Sequence, residues 1–312
     1  MTVPSPILSI VVASRDRPEM LQDCIASINR SRAPDTELIV VDSASSDPGR
    51  VAKIARVGGA RLVRSELPGA ARARNLGLAH ARGDIIAFTD DDATVDPGWA
   101  DALRDAFADP VVDAVVGPVF LEGMNPPFAM HPKTGIDPAS DRVRFSRANR
   151  GWFDELSFGS IGFGANLAVR RAAFERFGAF RECLGAGAPI AGDENYFLLT
   201  LVARGATVMN EPRARVFHPP QTPGRIRELQ RSAVAYLLYV IGTQPGLAPR
   251  TAARILRRIV RRSHGGMRRS AAGLAGGRAR EILEAALAAP GLLLAARQFA
   301  QQRAVPATIP TR

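Results

Sequence analysis

The chain has only two cysteines in 312 residues, Cys24 and Cys183, far apart and without metal-ligand spacing. Their scarcity excludes a disulfide framework and a cysteine-built zinc site, and it points to a reducing, cytosolic setting. Lysine is nearly missing as well: only positions 53 and 133 carry it, so the basic charge is almost all arginine. No apolar run reaches the ~20 residues that a membrane-spanning helix needs. Two apolar stretches in the C-terminal part, 232–243 and 285–299, fall short of that length, and Pro290 and Gly291 interrupt the second. The opening Met1-Thr2-Val3-Pro4-Ser5-Pro6 leads into an apolar stretch without a charged leader region or a small-residue cleavage site, so no secretory signal peptide is expected. Acidic residues are absent between positions 229 and 280, where eleven arginines fall. No internal repeat is found.

What is present suits a folded α/β domain with a smaller appendage, since the chain is long and 46% hydrophobic. The net charge of +11 is concentrated in the acid-free arginine segment. A segment of that kind fits an anionic membrane surface or nucleic acid, or it is simply a solvated basic face.

Residues 7–13 and 37–41 are apolar runs apart from Ser9 and Glu37, each ending in a polar loop, as buried parallel strands do. Between them, residues 18–30 place Met20, Leu21, Cys24, Ile25 and Ile28 at helical spacing behind Pro18, a residue suited to a first turn. A third strand is predicted at 61–64, a helix at 70–81 and a fourth strand at 85–89. This alternation predicts a doubly wound, mostly parallel sheet flanked by helices. Residues 123–140, rich in Gly and Pro, predict a loop over the site, and helix and strand patterns return at 165–169, 172–177, 194–204 and 206–216.

Ligands of such sheets bind beyond the carboxyl ends of the strands. Three strand ends here deliver Asp16, Asp42 and the run Asp90-Asp91-Asp92. The run can hold a hard cation, Mg²⁺ or Mn²⁺, which would also ligate diphosphate oxygens; a helix cap is the plainer role. Asp42 can accept from a ribose or a base edge, or start an Asx turn. Arg72, Arg74 and Asn75 follow Gly69, at a helix start able to present donors to phosphate, or are ordinary surface residues.

Taken in order, strand-Asp42, the 69–77 segment and strand-Asp90-Asp91-Asp92 with Pro97-Gly98-Trp99 behind it resemble the family 2 glycosyltransferases of the GT-A fold. The resemblance spans roughly residues 7–220. It implies an enzyme that moves a sugar from a nucleoside diphosphate to an acceptor hydroxyl with inversion, in cell-surface polysaccharide or glycolipid synthesis. It also implies that Asp16 and Asp42 flank the nucleotide, that Asp90 lies near the ribose and that Asp92, with Asp91, binds the metal through its DXD-type run. Gly164-Ala165-Asn166 resembles the segment lining the sugar and acceptor pocket. Asp193-Glu194 reverses the family's usual Glu-Asp order, so either carboxylate is a candidate base, with Glu194 preferred by register. His218 resembles a histidine that reaches the metal or the diphosphate in some members.

The expected organisation is a nucleotide-sugar-binding half (1–120), an acceptor and catalytic half (121–224) and a basic helical region (225–312). The run Arg254-Ile255-Leu256-Arg257-Arg258-Ile259-Val260-Arg261-Arg262 predicts either an interfacial helix on anionic head groups or a helix packed on the domain or on a second copy in a homodimer. The expected location is cytoplasmic, peripheral on the inner face of the plasma membrane. The expected partners are the nucleotide sugar and a saccharide or lipid-linked acceptor. Nucleic acid is not expected, because the tail offers few stacking aromatics, Tyr236 and Tyr239 among them, and no known nucleic-acid module. Two other readings compete. One is a metal-dependent nucleotidyltransferase, disfavoured by the lack of a Gly-rich, Lys-containing phosphate loop near the N-terminus. The other is a non-enzymatic basic binding protein.

Overall fold

In the computed structural model the described residues are 8–122, 137–153, 156, 162–188, 190–220 and 235–253. The first apolar run forms β1 (Leu8–Ser14), which lies between β2 (Thr36–Ser43) and β4 (Ile85–Asp90), parallel to both. β3 (Arg61–Ser65) extends the sheet beyond β2, again in parallel. β1, β2 and β4 are buried along almost their whole length, and this explains why their sequences read as largely apolar runs.

Helix α1 (Pro18–Ser31) begins on its proline and buries Leu21, Cys24, Ile25 and Ile28. Helix α2 (Pro48–Val57) was not foreshadowed by apolar spacing. It buries only Val51 and Ala55, and its start is set by Asp47, whose side chain accepts from the Arg50 amide at 3.0 Å. Helix α3 (Ala70–His80) packs so close to the sheet that a Cβ on Gly77 would lie 2.2 Å from Val11 Cγ1. That contact holds α3 against β1 and brings its first turn beside the strand ends.

Beyond β4 the sheet changes character. Its order is β3-β2-β1-β4-β9-β6-β10-β8, with β6 (Ala114–Val116), β8 (Val143–Phe145), β9 (Leu167–Arg170) and β10 (Val208–Asn210). β9 runs antiparallel to both β4 and β6, and β8 is antiparallel to β10. Strands from either side of residue 120 therefore share one sheet. A second sheet of β5 (Thr94–Val95), β11 (Val216–His218) and β7 (Val119–Leu121) carries the chain back toward the end of β4. Helices α4 (Trp99–Phe107), α5 (Arg171–Phe177) and α6 (Asp193–Ala203) complete the layers.

The chain divides into two compact units. All the elements named so far belong to the first, whose described residues end at 220. In the second, residues 183–192 carry a bridge between Leu184 and Ile190, and a helix spans 235–243. There Tyr239 pairs with Cys183, with 3.4 Å between hydroxyl oxygen and sulfur. Among the described residues no helix is long and apolar enough to cross a membrane. Most of the expected loop (123–136), the stretch 285–299 and the arginine run after Ala253 lie outside the described residues.

Candidate active site

The buried β4 forces its last residue and the two after it out at the sheet's carboxyl edge, where three successive carboxylates would repel one another without partners. Each finds partners, and two of them share one. Asp91 turns back into the fold: its Oδ2 accepts from Ser14 Oγ at 2.8 Å and from the Arg15 amide at 3.4 Å, tying the ends of β1 and β4 together. Arg17 Nη1 bridges Asp91 Oδ1 at 3.1 Å and Asp92 Oδ2 at 2.7 Å. His218, delivered by β11, places Nε2 3.0 Å from Asp92 Oδ1. Asp90 Oδ1 accepts from Arg74 Nη2 at 3.0 Å.

Electrostatics follow these pairings. Burial raises the Asp91 pKa to about 6, against the opposing effects of Ser14 and Arg17. Burial also disfavours a charged His218, yet its contact with Asp92 prevails and lifts the ring to about 9. The reciprocal effect holds Asp92 below its ordinary value although burial acts the other way.

The ligand atoms of Asp90, Asp92 and His218 lie within 4.8 Å of one another. Asp92 Oδ1 is buried and has no hydrogen-bond partner beyond its contact with His218 Nε2 at 3.0 Å. Two carboxylates and an imidazole converging within 4.8 Å fit a divalent cation. The carboxylates suit Mg²⁺ or Mn²⁺, and a ring nitrogen suits the softer Mn²⁺ better. Asp90 thus joins Asp92 and His218, whereas Asp91 faces Ser14 and Arg17.

The acidic pair at the start of α6 is arranged differently. Asp193 is 3% exposed and bound by Arg74 Nη1, from α3, whose Nη2 reaches Asp90. Glu194 is half-buried. Burial and the adjacent Asp193 push its pKa well above the usual carboxylate range, more than Arg74 pulls it down. A raised pKa makes the ionised carboxylate a stronger proton acceptor, the property a general base needs.

The other expected site residues are distributed as follows. Asp16, in a left-handed backbone conformation (φ 56°) just after β1, accepts from the Ser46 amide at 2.7 Å and the Ser46 hydroxyl at 2.8 Å, and so joins the loops after β1 and β2. Asp42 is fully buried at the end of β2, where it accepts from the Ser45 amide at 2.9 Å and pairs with Arg64 from β3. Arg72 pairs with Glu182 at 3.0 Å. Asn75 clamps the backbone of Phe180, donating to its carbonyl at 2.9 Å and accepting from its amide at 3.0 Å. Asn166 is wholly buried. Its carbonyl accepts from Trp99 Nε1 at 2.9 Å and its amide donates to the carbonyls of Pro118 at 3.1 Å and Ala214 at 2.7 Å. The site thus brings Asp90, Asp92 and His218 together and links Asp90 through Arg74 to Asp193, while Asn75 and Asn166 spend their amides on the scaffold. Arg17 and Arg64 escaped sequence reasoning. Both stand beside strand ends, and that position was the available signal, but nothing local says which carboxylate each arginine meets.

The model of the glycosyl transferase family 2 matches residues 9–178. The chain belongs to that family. Within it, the chain is 26% identical over 263 residues to the O-antigen biosynthesis protein RfbC of Myxococcus xanthus, an alignment that takes in 79% of this chain and 20% of that protein. The chain spans between a fifth and about three fifths of the length of this and two further curated relatives, the pre-mycofactocin glycosyltransferase of Mycobacterium tuberculosis and AglE of Haloferax volcanii. Among solved structures, the mannosyltransferase PcManGT from Pyrobaculum calidifontis, in complex with GDP-Man and Mn²⁺, superposes with a TM-score of 0.56 at 21% identity, covering 95% of this chain and 87% of that one. TarS of S. aureus in complex with UDP-GlcNAc gives a TM-score of 0.52 at 17% identity, covering 74% of this chain and 66% of that one. The family 2 chain thus has the GT-A fold.

Proposed function

We propose that this chain is an inverting, metal-dependent glycosyltransferase that moves a sugar from a nucleoside diphosphate to an acceptor hydroxyl. The observation that carries the reading is the convergence of Asp90, Asp92 and His218 at the end of β4, linked through one buried arginine to the acidic start of α6. Asp92, His218 and Asp90 would hold the cation, whose charge would stabilise the departing nucleoside diphosphate. Asp16 and Asp42, at the ends of the neighbouring strands, flank the nucleotide. Glu194 takes the proton of the acceptor hydroxyl, because Asp193 is already committed to Arg74. Inversion follows from a single in-line attack with no covalent intermediate.

Residues 1–120 hold the donor in this scheme, residues 121–224 the acceptor and the base, and residues 225–312 form the basic region. The curated name of RfbC supports a saccharide or lipid-linked acceptor in cell-surface polysaccharide synthesis. Thermal shift with UDP, GDP and dTDP, each with and without Mn²⁺, tests the donor reading. One nucleotide should stabilise the chain only when Mn²⁺ is present, and Asp92→Asn should remove that dependence. Stabilisation by every nucleotide without metal, or equal in the mutant, would leave the cluster a mere cap.

The arginine segment, on the same proposal, attaches the enzyme to the cytoplasmic face of an anionic membrane. Each basic residue near such a surface contributes roughly 1 kcal/mol. Changing Arg257, Arg258, Arg261 and Arg262 to Gln should therefore release the chain from anionic vesicles in a salt-sensitive manner. Equal sedimentation of both proteins would refute the attachment.

A further inference from the structure

Arg74 is held more completely than any single partner requires. Its guanidinium joins Asp193 through Nη1 and Asp90 through Nη2, with 8% of the side chain exposed, against 4% for Asp193 and 33% for Asp90. The ring of Phe180 lies 5.8 Å from the guanidinium carbon, and Phe180 is itself fixed by Asn75, the next residue of α3. Gly164 completes the seat: a Cβ there would come 2.4 Å from Arg74 Nη2. Four segments distant in sequence thus converge on one cation.

We propose that Arg74 is a positioning residue of the transfer reaction, locking Asp193 to the end of β4 so that Glu194 alone of the acidic pair faces the acceptor. This rests on the reading of Glu194 as the base and extends it to the group that selects between two adjacent carboxylates. The geometry supplies the reason. A guanidinium with two fixed donors satisfies Asp193 and Asp90 at once, and a buried pair of this kind cannot exchange partners with water. The charged groups that bear on Glu194 are Asp193 on its own helix and Arg74 from α3, with Asp90 of β4 behind the guanidinium.

Carboxyl-carbon NMR of the full chain, with the Glu194 signal assigned by its loss in Glu194→Gln, follows the titration without any donor. In Arg74→Met the Glu194 midpoint should rise by about one unit or more, because the nearby cation is gone. Arg74→Lys, which keeps the charge, should largely restore it. Asp193→Asn should lower the midpoint, and this isosteric change keeps the test available if Arg74→Met does not fold. With Mn²⁺ and the nucleotide sugar whose nucleotide stabilises the protein, Arg74→Met should lose roughly 10²-fold in kcat with little change in the donor KM. An unmoved Glu194 titration in both Arg74→Met and Asp193→Asn, or a loss confined to the donor KM, would overturn the proposal. If Glu194→Gln kept the wild-type rate, the base assignment would fall while the titration coupling could still be read.

Discussion

The two acidic clusters of this chain meet the same difficulty, adjacent like charges, in opposite ways. At the end of β4, Asp91 and Asp92 share a guanidinium that remains within reach of water. Arg17 is about half exposed, whereas His218, on the central strand of the small sheet, is buried. At the start of α6 the partner is Arg74, almost wholly buried. The contrast is one of exchangeability. A solvated guanidinium can leave a carboxylate at little cost, so Asp92 can trade Arg17 for a cation and a diphosphate. A buried guanidinium cannot leave without stranding an unpaired charge, so Arg74 keeps Asp193 of the helix-start pair engaged.

The largest expected effect removes the other member of that pair, Glu194. Glu194→Gln should retain nucleotide and Mn²⁺ binding yet lose ~10²–10⁴-fold in transfer, as general-base removal does. The wild-type rate should fall on acidification through a pKa lying above the ordinary carboxylate range, since burial and Asp193 favour the protonated form. The sign for stability is the reverse. The folded state binds this proton more tightly than the unfolded one, so stability relative to Glu194→Gln should be lost as pH rises through that pKa. Initial rates and denaturant melts across pH check both. If Asp193→Asn is inactive while Glu194→Gln is not, the roles of the two residues are exchanged.

A smaller effect sharpens the comparison itself. Arg74→Met should cost about 3–5 kcal/mol of folding stability, because Asp193 is left buried without its cation. Arg17→Gln should cost roughly 1 kcal/mol or less, because Arg17 is itself about half exposed. Urea denaturation of the two variants side by side would test this. Equal losses would mean that exposure does not separate the clusters.

Much of this was legible in the sequence, for reasons tied to particular elements. β1, β2 and β4 are buried on both faces, so their apolar runs announce them, and each observed strand lies within a residue or two of its expected place. Helix α2 was not legible, because with two fully buried apolar residues it has little amphipathic signal. Asp90 to Asp92 were found for the same reason as β4: polar residues that end an apolar run must emerge at the sheet edge.

The sequence by itself determined the strand-and-helix alternation, the residues at the strand ends and the motif order shared with the family, because these depend on local burial and spacing along the chain. Only the tertiary structure decided which charges meet. Arg74 joins Asp90 and Asp193 across 16 and 119 residues of chain, and Arg17 reaches Asp91 across 74. It also turned Asp91 inward onto Ser14, leaving Asp92 with His218, and committed Asn166 to Trp99. Such pairings follow from the packing of α3 and the crossing of β9 and β11 through the sheets. A carboxylate's neighbours along the chain fix where it leaves a strand, but its charge is balanced by whatever the fold brings against it.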